Sequence, residues 1–502
     1  MKRRTVWTTV GSILLAAALL AIQIPAADCT MVGATGRATR DGVTILGKNR
    51  DYPVNSGQIL HFQPDGEHPA GATTAMQFIT IAAARQTWQL LGFKSMDERN
   101  RDDRLWRWGV GMGMNRHQVS VANNDGNTWD TFDGPALHDN DITRLILERC
   151  RTAREAVDLV DELIARHHSR VPEIYTVADP AEIWIIETTG NRWAAVRVTD
   201  GVCVRANRFE ITDPDLPDDS DRFRLRRREL IEHARARGQY REENGQFSFR
   251  LSYSRDYHGP DNTHYNEMRY RRGMERMRLI EGRVTVEGIA AVLRDHFEDW
   301  TFDTADGRAI RPHTPGADPH CAMTGSLLDG APVRTICYGG TVGSMIAVSQ
   351  PGAAAGLGGT LWACLHLPCL NAYVPFFPAL ANRLPAELTR AGGAYEQESL
   401  WWRLAAVSRN LEARWAESGQ AISRIRAHWA KLERKELKEW REIRERADAL
   451  ARQGKADKAR RLLADFNARC VRRLSRGADQ VARWVPGFDA AAPPPAFFER
   501  RY

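Results

Sequence analysis

The stretch that decides the fold runs from Cys29 to Tyr52 and reads CTMVGATGRATRDGVTILGKNRDY. Its strand-like runs, Cys29–Ala38 and Val43-Thr44-Ile45-Leu46, flank Asp41-Gly42, a pair suited to the positive-φ positions of a tight hairpin turn. The pattern predicts two antiparallel strands. The same residues nearly spell a phosphate-binding loop, from Gly42 to Gly47-Lys48-Asn49. Asn49 stands where a Ser or Thr would hold magnesium. Asp51-Tyr52-Pro53 opens no helix, so no helix N-terminus is offered to a phosphate.

What precedes this stretch gives Cys29 its interest. Lys2, Arg3 and Arg4, the apolar run Val10–Ile24 and the small pair Ala26-Ala27 read as a targeting segment over residues 1–28. The expectation is an exported protein, periplasmic or secreted, with a membrane-anchored precursor where the segment stays uncleaved. If the Asp28–Cys29 bond is cut, Cys29 owns a thiol and a free α-amino group. An amine with a pKa of about 8 can accept the thiol proton near neutrality. A thiolate beside its own base is an activated nucleophile for acyl transfer. Seven further cysteines are Cys150, Cys203, Cys321, Cys337, Cys364, Cys369 and Cys470; no CxxC occurs, and the Cys364/Cys369 spacing matches no zinc motif.

Composition narrows the remaining classes. The 502 residues are 43% hydrophobic and 26% charged, an ordinary globular balance. A mean hydropathy of −0.45 with one long apolar run excludes a polytopic membrane protein. The formal charge of +7 belongs to the tail: Trp401–Val485 holds 22 Lys/Arg against 11 Asp/Glu, so the rest of the chain is acidic. That argues against nucleic acid as a partner of the body.

Element by element, Gly109–Asn123 reads as a second hairpin turning at Asn115-Arg116-His117, and Ile142–His167 as one helix with Asp141 as N-cap. Ile174–Ala178, Glu182–Thr188 and Trp193–Val198 read as strands. Asp213–Asp221 is an acidic loop whose spacing is not that of an EF-hand. Arg222–Ala236, Tyr265–Glu281 and Thr285–Phe297 read as helices, and Val333–Val348 and Gly359–His366 as strands. In the tail, Ile422, Ile425, Trp429, Leu432, Trp440, Ile443, Ala447 and Leu450 form an apolar stripe. Gly454 breaks it, and Leu462, Leu463, Phe466, Cys470 and Leu474 resume it. This predicts a helical hairpin packed on the body or, in a homo-oligomer, on a second copy.

A set of motifs in fixed order extends the reading. Cys29-Thr30…Asp41-Gly42…Gly47-Lys48-Asn49-Arg50-Asp51-Tyr52 resembles the start of N-terminal-nucleophile (Ntn) hydrolases that cleave linear amides. These include the cysteine dipeptidases and secernin-like proteins, the choloylglycine and penicillin V amidases, and the acyltransferase of penicillin biosynthesis. Gly113-Met114-Asn115, Val121-Ala122-Asn123-Asn124, Ala178-Asp179-Pro180, Glu182–Thr188, Trp193–Arg197, Val204-Arg205-Ala206-Asn207, Leu293–Glu298 and Arg334-Thr335-Ile336-Cys337 resemble the dipeptidase/secernin branch most.

The resemblance implies an α+β fold, a four-layer αββα sandwich over 29–390, followed by a basic helical region over 391–502. It implies Cys29 as nucleophile, exposed by autoproteolysis or trimming, Asp51 orienting the new α-amino group, Asn123 as oxyanion-hole amide and Asn207 as a second polar group. Lys48 stands where the amidases carry Arg, with Arg50 two residues on as the other candidate. Arg269, or alternatively Arg334, matches a later site arginine. The implied activity is hydrolysis of peptide or N-acyl amide bonds, a dipeptidase first. An N-acyl amidase or acyltransferase, and a non-catalytic secernin-like interaction protein, are the alternatives. Neither metal nor organic cofactor is implied.

Overall fold

The computed structural model describes residues 29–52, 57–96, 109–130, 132–213, 221–258, 264–298, 300–303, 309–310, 334–354, 356–392 and 394–495. The 1–28 segment, residues 214–220 of the acidic loop and Cys321 lie outside them.

The two expected strands pair, Thr30–Thr35 antiparallel with Thr44–Asp51, Met31 opposite Lys48 and Thr30 opposite Asn49. The first strand stops at Thr35, however, and the connection is Gly36–Val43 with a 3-10 turn over Gly36–Ala38, not a tight turn at Asp41-Gly42. Gly42, at φ +65°, takes the left-handed position that glycine occupies at no steric cost. These two strands sit inside a six-stranded sheet, ordered Gly201–Arg205, Thr30–Thr35, Thr44–Asp51, Thr341–Ser349, Thr360–Leu365, Val374–Phe376. A seven-stranded sheet runs Arg192–Val198, Ile183–Thr189, Glu173–Ala178, Ser120–Asp125, Met112–Asn115, Leu90–Met96, Gly57–Gln63. Every pairing in both sheets is antiparallel.

Side-chain alternation stacks the layers. Met31, Leu46, Met345 and Ala363 of the first sheet meet Leu91, Phe93, Met112, Ala122 and Ile185 of the second in the inter-sheet core. The outer face of the second sheet, with Val121, Tyr175, Val177 and Ile186, is covered by helices Asp139–Arg149 and Ala153–His167. The outer face of the first, with Val32, Ala34, Ile45 and Ile346, is covered by His264–Leu279 and Val286–Leu293. The result is the four-layer αββα sandwich. Strands buried on both faces explain why their sequences read as nearly continuous apolar runs.

Three further expectations need correction. Ile142–His167 is two helices. The first is capped by His138, with Asp141 at the third position of the capping box; Thr152 caps the second through a bond from the Glu155 N–H at 3.1 Å. Gly201–Arg205 is a further strand, the edge partner of Thr30–Thr35. The strand expected over Val333–Val348 is Thr341–Ser349, and Arg334–Gly340 precedes it as irregular chain.

The tail forms three helices, Leu400–Ala413, Trp415–Arg452 and Ala456–Ala482. Gly454, at φ +72°, turns the chain between the last two. Ile422, Ile425, Trp429 and Leu474 join the body's own core, so the hairpin packs on the body. Glu433 anchors it there, accepting both from the Arg294 guanidinium and from the Tyr373 N–H. Among the described residues no helix is long and apolar enough to cross a membrane.

The close approach of the two long helices is set at Gly477. A Cβ there would meet the Trp429 ring at 2.6 Å. Gly477→Ala is expected to cost about 1–3 kcal/mol by overpacking, measured as a shift in denaturant midpoint. Reversing the exposed Lys431 and Lys435 is expected to stay within about 0.5 kcal/mol.

Candidate active site

Cys29 precedes the first strand and is 4% exposed. Burial pushes its thiol upward, Lys48 draws it back down, and Asp51 and Asp125 push it up again. The backbone N–H of Asp51 also bonds toward the thiol, favouring the thiolate. The Cys29 carbonyl is held from two sides, by Asn124 Nδ2 at 3.1 Å and Arg269 Nη1 at 2.7 Å.

Asp51 ends the neighbouring strand and is fully buried. Its Oδ1 accepts from Thr341 Oγ1 at 2.6 Å, and its Oδ2 pairs with Arg334 Nη2 at 2.9 Å. Burial pushes this carboxyl up to about 7, against the pull of Thr341, Arg269 and Lys48. The Arg334 guanidinium also lies 3.9 Å from the Tyr338 ring centroid, a cation–π contact.

Lys48 crosses to the second sheet. Its ammonium donates to Asn123 Oδ1 at 2.6 Å, to the Asn123 carbonyl, and to the Gly111 carbonyl at 3.2 Å. With Oδ1 fixed in this way, the Asn123 amide nitrogen faces Asp139 and donates to its Oδ2 at 2.7 Å. Arg50 leads elsewhere: it reaches Ser95 Oγ at 2.9 Å and fills the space over Gly111.

Arg269 is fully buried although it lies in a strongly basic helix. It bonds Cys29 O, Thr30 Oγ1 at 3.1 Å, and Asn207 Oδ1 through both terminal nitrogens at 3.2 Å. Asn207 in turn donates to the Asp125 carbonyl at 3.0 Å. One connected network therefore joins Cys29, Arg269 and Asn207, and a second joins Asp51 to Arg334. Lys48 and Asn123 form a third group, coupled to Cys29 by the charge of the ammonium.

The sequence scale of this constellation matches a known family. Residues 28–428 fit the family model described as Peptidase family C69. The chain belongs to peptidase family C69. A curated relative, the probable dipeptidase B of Lactococcus lactis, is 22% identical over 399 residues, covering 75% of this chain and 79% of its own. Among solved structures, penicillin V acylase from Agrobacterium tumefaciens is 10% identical with a TM-score of 0.36, covering 70% of this chain and 86% of its own. Conjugated bile acid hydrolase from Clostridium perfringens is 11% identical with a TM-score of 0.36, covering 71% and 94%. As a C69 peptidase the chain is an enzyme, a cysteine peptidase or amidohydrolase acting on carbon–nitrogen bonds.

In this C69 peptidase two further groups stand at the site that the motif order does not mark. Asn124, beside Asn123, is the asparagine that touches residue 29. Strand alternation is the signal, because Ala122 faces the first sheet and Asn124 follows it two residues on. The other group is acidic: carboxylate oxygens of Asp125, Asp139 and Glu173 lie within 4.8 Å of one another. Burial pushes Glu173 up and raises Asp125 to about 7, while His138 holds Asp139 low against its own burial. Lys48 and His138 lend this cluster positive charge.

Proposed function

We propose that this C69 peptidase is an exported dipeptidase whose nucleophile is the Cys29 thiolate, with the α-amino group of the mature residue 29 as its base. The observation that carries the reading is convergence. Arg269, Asn207, Asn124 and Lys48 come from separate parts of the chain, and each is tied to Cys29 by a hydrogen bond, a shared partner or charge.

In the proposed reaction the bond Asp28–Cys29 is first cleaved. The freed amine takes the thiol proton and the sulfur attacks the amide carbonyl carbon. Negative charge gathers on the carbonyl oxygen, where Asn123 and a backbone N–H donate to it. The ammonium returns its proton to the leaving amine as the carbon–nitrogen bond breaks. Water, deprotonated by the same amine, then hydrolyses the thioester and restores Cys29. Arg269 positions residue 29 through its carbonyl, and Asp51 balances the ammonium.

The dipeptidase reading is tested by intact mass and by a panel of dipeptides and N-acyl amides. Active protein beginning upstream of Cys29 sinks the α-amine mechanism. Turnover of N-acyl amides alone moves the assignment to an amidase.

Asp51 supplies a pH prediction. Its buried carboxyl titrates at about 7, so it is charged above that pH and neutral below it. The expected result is a fall in kcat/KM as pH drops, begun by the α-amine near about 8 and steepened through about 7 by Asp51, with Asp51→Asn losing the steeper part as well as rate. An unchanged profile in Asp51→Asn removes the residue from the mechanism.

A further inference from the structure

Behind the Asp51–Arg334 pair lies a second cluster that the peptidase chemistry does not use. One ligand atom each from His296, Cys337 and Cys369 lies within 4.8 Å of the other two, and the residues are 2%, 0% and 7% exposed. They come from three segments: the turn after helix Val286–Leu293, the irregular Arg334–Gly340 stretch, and the loop after strand Thr360–Leu365.

These segments are locked to one another independently of the cluster. Asn49 Nδ2 donates to both the Leu293 and Ile336 carbonyls, at 2.8 and 2.9 Å. The Cys337 N–H bonds Asp295 O at 3.1 Å. Arg294 spans to the carbonyls of Pro368 at 2.7 Å and Asn371 at 3.1 Å, either side of Cys369. Phe297 is held at φ +65°, a conformation rarely taken by an aromatic residue, and this lets Glu298 fold back onto His296.

His296 Nδ1 lies 3.1 Å from Glu298 Oε1. This contact supports the Nδ1 side, while the ring also hydrogen-bonds toward Cys337 and Cys369; a cation seated between the three would take the Nε2 lone pair, with Glu298 as the carboxylate support that orients a metal-bound imidazole. Two thiolates and a neutral imidazole are a soft donor set whose charge cancels that of a divalent cation in a buried site. A tetrahedral zinc with Zn–S of about 2.3 Å needs sulfurs about 3.8 Å apart, within the span of this cluster. A Cys337–Cys369 disulfide would use the two sulfurs but would give the His296–Glu298 pair no role.

We propose that His296, Cys337 and Cys369 bind a zinc-class divalent cation, with Glu298 as the support of His296 and a solvent oxygen in the fourth position. Glu298 is 40% exposed, so solvent reaches this edge. Binding releases to water the protons held on the two sulfurs and on Nε2. The cation staples the segment that carries Arg334 to the body and so fixes the wall behind Asp51.

The test is metal content of the purified full-length chain after zinc or cobalt loading and dialysis. About one equivalent per chain is expected, with thiolate-to-cobalt charge-transfer absorption for the cobalt form. Cys337→Ser, Cys369→Ser and His296→Ala should each lose it, and Cys203→Ser and Cys470→Ser should keep it. Should the ligand variants fail to fold, alkylation of native wild-type protein decides: zinc should protect Cys337 and Cys369, and a chelator should expose them. No uptake of either metal, retention of metal in the Cys337→Ser/Cys369→Ser double variant, unprotected thiols in loaded protein, or a Cys337–Cys369 disulfide would each overturn the proposal.

Discussion

Cys29→Ala is expected to lose amide hydrolysis by a factor on the order of 10⁴–10⁶, the range seen when a sole nucleophile is removed. The fold should survive. The sulfur is a single buried atom, and the residue's carbonyl stays tied to Asn124 and Arg269 whatever its side chain. Cys29→Ser keeps the shape but must form an alkoxide at a site where burial already raises the cost of an anion, so it should retain only a small residual rate. Both variants also report on maturation. If the last propeptide residue is removed by Cys29 itself, Cys29→Ala protein keeps Asp28 by intact mass, and wild-type protein starts at Cys29. Steady-state rates on a dipeptide, with near-ultraviolet circular dichroism to confirm folding, make the check. Undiminished turnover by folded Cys29→Ala would show that the nucleophile lies elsewhere.

How far the sequence reached can be judged from the same residues. The pairing of the first two strands is legible because Asp41-Gly42 and its flanks are local signals, but the 3-10 turn Gly36–Ala38 that ends the first strand early is not. Lys48 was legible as a site residue only through the order of motifs. Burial and a path to Asn123 are properties of two stacked sheets, which no single strand records. Arg269 was harder, because a basic helix reads as a solvated face. Its burial comes from the packing of that helix over the first strand. The break between the two helices at Cys150–Thr152 carries a capping signature, Thr152-Ala153-Arg154-Glu155, but the apolar stripe runs on through it and masks it. The strands Gly57–Gln63 and Leu90–Met96 do not stand out within the strand-rich region, since Gln58, His61, Gln63 and Lys94 blur the alternation. His296, Cys337 and Cys369 are far apart in the chain, and their meeting is purely tertiary.

Asn123→Ala is expected to lower kcat by about 10²–10³ with little change in KM, because an oxyanion donor acts mainly on the transition state. Two neighbours hold this asparagine in place. An asparagine amide offers two N–H donors. One is spent on Asp139 Oδ2 at 2.7 Å, and Oδ1 is pinned by the Lys48 ammonium at 2.6 Å. The amide plane is therefore held from both ends before substrate arrives. Two variants separate this role from simple packing. Asn123→Asp keeps the volume but adds a negative charge to the group of Asp125, Asp139 and Glu173, so it should be slower than alanine. Lys48→Met removes the pin while leaving the amide in place. If Lys48 acts by orienting Asn123 and by drawing down the Cys29 thiol, Lys48→Met should lower kcat and move the thiol's alkylation pH profile upward. Asn123→Ala should leave that profile in place, because it changes no charge. Full activity in mature Asn123→Ala protein would take this amide out of the oxyanion hole, and Asn124, already in contact with residue 29, would be the next to test.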